Sequence, residues 1–157
     1  MQAEICATRL YRDDLRQHKL VSSKPFETGD VVARFRAKVE LEEPSWLTVQ
    51  VSESVHVVLE PDILGSLNHG CDPNVFLDVE AMLLVAIRPI AEGDELTFFY
   101  PSTEWAMAEP FECGCGAGEC IGRISGAREI PLSVLGRYRL NPHIVRLIGS
   151  RAMPERR

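Results

Sequence analysis

The sequence predicts a mostly β chain that ends in two short helices. Three observations carry this. Trp46-Leu47-Thr48-Val49-Gln50-Val51 alternates apolar and polar residues at period two, the spacing of a half-buried strand. Other β-branched runs, at 31–35, 55–59 and 75–79, are short and bounded by turns rich in Gly, Pro and Asp. Only beyond Ile130 does the spacing become helical, in two segments that each open with a proline.

In order, residues 4–10 read as a short strand, and the charged stretch 11–19 as a loop or helical turn. Leu20-Val21 and residues 31–35 are strands flanking the turn Glu27-Thr28-Gly29-Asp30. Residues 46–51 and 55–59 form a hairpin, as do residues 75–79 and 82–87 around Glu80-Ala81. Residues 88–94 turn the chain and 95–100 make a last short strand. The helices span 131–138 and 142–148, followed by a disordered basic tail at 151–157.

With 157 residues, 45% of them hydrophobic and 25% charged, the chain has the size and composition of one soluble globular domain. No apolar run reaches the length of a membrane span, so no membrane partner is expected. The N-terminus has neither the basic region nor the apolar core of a secretory signal, which predicts an intracellular protein, cytoplasmic or nuclear. A net charge of -6 argues against a nucleic-acid-binding surface and suits a basic partner such as a Lys-rich peptide.

Two stretches carry ligand-type side chains. Asn68-His69-Gly70-Cys71-Asp72-Pro73-Asn74 packs an amide, an imidazole, a thiol and a carboxylate into a turn marked by Gly and Pro. Alone, it also reads as an Asx-rich turn that satisfies neighbouring backbone. Downstream, Cys113-Gly114-Cys115-Gly116-Ala117-Gly118-Glu119-Cys120 crowds three thiols into a glycine-laced loop that can curl them inward. Five cysteines in all, an odd count so clustered, fit a metal site better than a disulfide framework. Structural zinc takes four ligands, so the cluster is one short. Cys71 is the natural fourth and His69 its rival, while Cys6, in a predicted strand, reads as a small buried hydrophobe.

These residues resemble a family. The 68–74 stretch is similar to the Asn-His-Ser-Cys-x-Pro-Asn motif of SET-domain lysine methyltransferases. Gly93-Asp94-Glu95-Leu96-Thr97-Phe98-Phe99-Tyr100 resembles their Gly-x-Glu-Leu-Thr-Phe-Asp-Tyr, and Phe111 through Gly122 their post-SET zinc segment. The motifs occur in the family's order, and the resemblance spans residues 18–125. It implies a SET fold over residues 1–122, with a knot-like threaded segment, and a helical extension over 123–157. It implies S-adenosylmethionine as cofactor and the side-chain amine of a protein lysine as methyl acceptor, meeting in a narrow channel. Asn68, His69, Tyr100 and Phe111 would hold the cofactor, Tyr100 would also be the catalytic tyrosine, and Phe98, Phe99 and Trp105 would line the substrate channel. Cys71, Cys113, Cys115 and Cys120 would bind zinc. Phe98 stands where members hold Phe or Tyr, and Phe leaves room for more than one methylation.

The chain departs from the pattern in places. Gln17-His18-Lys19 stands where members carry Gly-x-Gly, Phe99 replaces the Asp of Phe-Asp-Tyr, and Arg34-Phe35-Arg36-Ala37 lacks a tyrosine. Residues 37–65 are few where histone-specific members build a peptide groove. Two alternatives follow: a SET-like binding module without methyl transfer, or a SET-fold enzyme acting on a small molecule. Glu104 and Glu109 could attract a basic substrate, but solvated carboxylates are the expectation; Trp46 reads as a packing residue, His18 and His56 as surface or strand histidines, and His143 as structural.

Overall fold

A computed structural model describes residues 5–13 and 17–152. Among the described residues, twelve short strands fall into five small sheets, with two helices at the C-terminal end.

The first sheet is a hairpin, β1 (Ala7–Arg12) against antiparallel β2 (Gln17–Ser22). Strand therefore replaces much of the expected loop or helical turn over 11–19. The described residues near the hairpin tip stand in solvent, where charge accompanies strand and loop alike. β3 (Val31–Arg34) pairs with β9 (Leu83–Ala86), which also pairs with β8 (Val75–Asp78), so the predicted 75–87 hairpin forms.

β4 (Arg36–Leu41), β5 (Val49–Gln50) and β6 (His56–Glu60) make a third sheet in the order β4-β6-β5. The 46–51/55–59 hairpin is thus present, with a shorter first strand. β4 was not foreseen: it is an edge strand with mostly exposed residues, so it carries no apolar alternation.

A 3₁₀ turn (Asp62–Ser66) leads into β7 (Asn68–His69), which pairs in parallel with β10 (Thr97–Phe98). Another 3₁₀ turn (Tyr100–Ser102) follows β10. β11 (Phe111–Glu112) and β12 (Arg123–Ile124) clamp the base of the cysteine loop. The helices are α1 (Leu132–Leu135) and α2 (Pro142–Ala152), so Arg151 belongs to a helix rather than to a disordered tail. Its guanidinium donates to the carbonyls of Ala127 and Arg128. Residues 153–157 lie outside the described part.

The main core centres on Leu20, Leu77, Leu84 and Leu96, all fully buried. A second core joins Phe99 to Ala127, Ile130, Leu135 and Ile144, so the C-terminal segment packs directly against the end of β10. Asn141 fixes this docking. Its buried amide accepts from the Val79 N–H and donates to the carbonyls of Leu77 and Ser102. Among the described residues, no helix is long and apolar enough to cross a membrane.

Candidate active site

The pairing of β7 with β10 brings the two separated motifs side by side. Asn74 reinforces it: its amide oxygen accepts from the Thr97 N–H at 3.0 Å, and its nitrogen donates to the Glu95 carbonyl at 2.8 Å. Gly70 is required by the same closeness, because a Cβ there would meet Thr97 Oγ1 at 2.6 Å. Glycine thus replaces the serine of the motif where Thr97 crosses.

His69 is buried between the motif tyrosine and the cysteine cluster. Its Nδ1 accepts from the Tyr100 N–H at 3.1 Å, so Nε2 carries the proton and donates to Cys71 Sγ at 3.2 Å. Burial holds the imidazole pKa down at about 4, which keeps that single neutral tautomer. Both His69 ring nitrogens are thus engaged, and the four-sulfur cluster forms without it.

The sulfurs of Cys71, Cys113, Cys115 and Cys120 all lie within 4.8 Å of one another. Cys71 Sγ is 3.8 Å from those of both Cys113 and Cys120. Four thiolates at about 2.3 Å from a tetrahedral zinc ion stand about 3.8 Å apart, so the arrangement fits that ion. Burial pushes the Cys71 thiol up to about 11, and a cation at the centre of the cluster would reverse this.

Two clefts meet at Tyr100, the one residue common to both linings among the described residues. The first, about 710 Å³, is polar and lies along Gln17, Asn68, Gly70, Glu95, Phe111 and the loop 112–117. The Asn68 amide is held there by the His18 carbonyl (2.9 Å) and Glu95 Oε1 (3.1 Å). Of the expected cofactor contacts, Asn68, His69 and Phe111 all line this cleft. The Gln17-His18-Lys19 segment is the start of β2, and it serves Asn68 through a backbone carbonyl.

The second cleft, about 310 Å³, is mainly apolar, with Trp46, Leu47, Val49, Leu67 and Phe98 in its wall. Phe98 packs on Tyr100 with ring centroids 4.8 Å apart, and the Tyr100 hydroxyl donates to the Leu67 carbonyl at 2.7 Å. Burial drives the Tyr100 phenol pKa upward, so it stays protonated as a donor.

Of the three residues expected along a substrate channel, Phe98 lines the apolar cleft, and Phe99 and Trp105 line neither cleft. Alternation along β10 turns Phe99 the other way, into the second core, and Trp105 packs at the edge of that core. Trp46 is 74% exposed beside the apolar cleft rather than packed. Glu104 is only 8% exposed and lines the apolar cleft, against the expectation of a solvated carboxylate. No periodicity marks it, because its burial is produced by segments far away in sequence.

The SET domain family matches residues 17–101, more than half of the chain. The chain belongs to this family. Methyltransferase flvH of Aspergillus flavus is 36% identical over 127 residues, covering 80% of this chain and 71% of that protein. An H3 lysine-36 specific histone-lysine N-methyltransferase of Chaetomium globosum is 29% identical over 102 residues, 57% of this chain but only 11% of that protein. Among solved structures, KRYPTONITE in complex with mCHH DNA, an H3(1-15) peptide and SAH aligns with a TM-score of 0.54 at 18% identity. That match covers 76% of this chain and 29% of the other, a likeness of fold.

Proposed function

We propose that this SET-type methyltransferase moves a methyl group from S-adenosylmethionine to the side-chain amine of a lysine. The observation that carries this is the position of Tyr100 in the walls of both a polar and an apolar cleft. The polar cleft has the size of small-ligand sites, and Phe111 offers an aromatic surface beside polar groups of Asn68, Gln17 and Glu95. That donor set fits an adenosyl group with an amino-acid tail.

When bound, the cofactor supplies an electrophilic methyl on a sulfonium. The chain's own part is alignment. Asn68, His69 and Phe111 hold the donor, and the apolar wall with Phe98 guides an alkyl amine toward Tyr100. The Tyr100 hydroxyl, fixed by the Leu67 carbonyl, orients the nitrogen without adding charge. Zinc bound by the four cysteines would tie the 113–120 loop to Cys71 and so complete the polar cleft.

A net charge of -6 favours a basic acceptor over nucleic acid. A second reading, a small free amine as acceptor, is supported by the apolar cleft, whose roughly 310 Å³ suits one alkyl chain.

Calorimetric titration of the zinc-replete protein with S-adenosylmethionine tests the proposal. Micromolar binding that disappears in Asn68→Ala supports it. No binding at millimolar cofactor would sink it and leave a SET-like binding module.

A further inference from the structure

Glu104 is a carboxylate in an unusual place. It is 8% exposed in the wall of the apolar cleft that also contains Tyr100. Its Oε2 accepts from the Gln50 N–H at 2.9 Å, and the Gln50 side chain in turn accepts from the Trp105 N–H at 2.9 Å. The Glu104 carbonyl receives the Ala127 N–H, so the residue is gripped by β5 on one side and the C-terminal segment on the other. Among the described residues, no Lys, Arg or His forms an ion pair with it.

A buried carboxylate without a cation is costly, and proteins keep such groups where a ligand brings the charge. The cleft offers an alkyl chain apolar walls, and its lining also holds the Tyr100 phenol, the buried Glu104 and the exposed Asp62. This is the complement of a primary ammonium on an aliphatic chain.

We propose that Glu104 receives the acceptor substrate as an ammonium ion and takes the proton that must leave before methyl transfer. The proposal rests on the methyl-transfer reading above. The N–H bond breaks and an O–H bond forms on Glu104, leaving a neutral amine with its lone pair free. That pair then forms the N–C bond as the S–C bond breaks, and the product leaves as a methylammonium. Glu104 afterwards returns its proton to water.

Burial raises the Glu104 carboxyl to about 7, near the value at which a base is both ionised and able to hold a proton. The titratable groups around it are Tyr100 on its own turn, Asp62 in the cleft wall, and His143 of α2, whose Nε2 donates to the neighbouring Thr103 carbonyl. His56 of β6 is coupled to His143.

The test uses zinc-replete protein saturated with S-adenosylhomocysteine and titrated with Nα-acetyl-lysine amide. Glu104→Gln keeps an oxygen for the Gln50 N–H while removing the charge. Wild-type affinity should rise about tenfold between pH 6 and 8, as Glu104 ionises, and the variant should bind at least tenfold more weakly with no such rise. Glu104→Asp, which retains the charge, should keep the pH step with reduced affinity. Equal, pH-independent affinity in wild type and Glu104→Gln would overturn the role of Glu104, as would no amine binding by the wild type. Failure of the wild type to bind S-adenosylhomocysteine would instead overturn the methyl-transfer reading itself.

Discussion

The ring of Tyr138 lies flat on that of Phe99, with centroids 3.6 Å apart and planes 4° from parallel. The Tyr138 hydroxyl also donates to the Cys71 carbonyl at 2.7 Å. The C-terminal segment therefore reaches the tyrosine motif and the cysteine cluster at once. It explains why an aromatic stands where the family pattern has Asp. Phe99→Asp would put a carboxylate in place of the stacked ring at a position only 2% exposed, at a cost of about 3–5 kcal/mol. Urea unfolding should show that loss, and an unchanged midpoint would mean the position is open to water.

Asn141 predicts a comparable dependence. Asn141→Ala takes the side-chain partner from the Val79 N–H and the Leu77 carbonyl, and leaves the Ser102 carbonyl only the Asn141 backbone N–H. A loss of about 2–4 kcal/mol is expected, because unmade buried hydrogen bonds cost more than made ones contribute. Thermal melting reads this directly.

The cysteine cluster predicts a stoichiometry. Metal analysis of the wild type should find one zinc per chain, and Cys113→Ser should lose it together with stability. Retained metal in that variant would remove Cys113 from the ligand set. The sulfur spacing of 3.8 Å makes this a sharp test.

Tyr100→Phe keeps the aromatic wall between the clefts and removes only the hydroxyl that donates to Leu67. Cofactor affinity should stay within a factor of a few, while methyl transfer falls about 10²-fold or more. Unchanged turnover would take Tyr100 out of the mechanism.

Glu104 also links stability to pH. Its carboxyl titrates near 7 in the fold, raised by burial from 4.5 in the unfolded chain. The folded state thus holds a proton that the unfolded state has lost, and the stability this contributes is lost as pH rises from 4.5 through 7. Glu104→Gln should lack that decline. His56 and His143, both lowered by burial, act in the opposite direction in both proteins, so the difference between wild type and variant isolates Glu104. Parallel stability–pH curves would rule the shift out.

Much of this protein was legible from residue order alone. Period-two alternation marked the β5–β6 region, turn residues bounded the β8–β9 hairpin, and helix-opening prolines marked α1 and α2. Asn68, His69 and the four cysteines drew notice because ligand-type residues in turns stand out against a background of packing residues, whereas Tyr100 and Phe111 were singled out only by the resemblance to SET-domain motifs. What only the tertiary structure decided concerns contacts between segments distant in sequence. Which way Phe99 points depends on the pleat of β10 and on Tyr138 arriving from the far end of the chain. Whether Glu104 is solvated depends on Gln50 and Ala127 closing around it. That Cys71 completes the four-sulfur cluster without His69 depends on the fold carrying the 113–120 loop to it. Local sequence encodes propensity and pattern within a few residues, whereas burial and hydrogen-bond partnership belong to the folded neighbourhood, and at this site the neighbourhood assigned the roles.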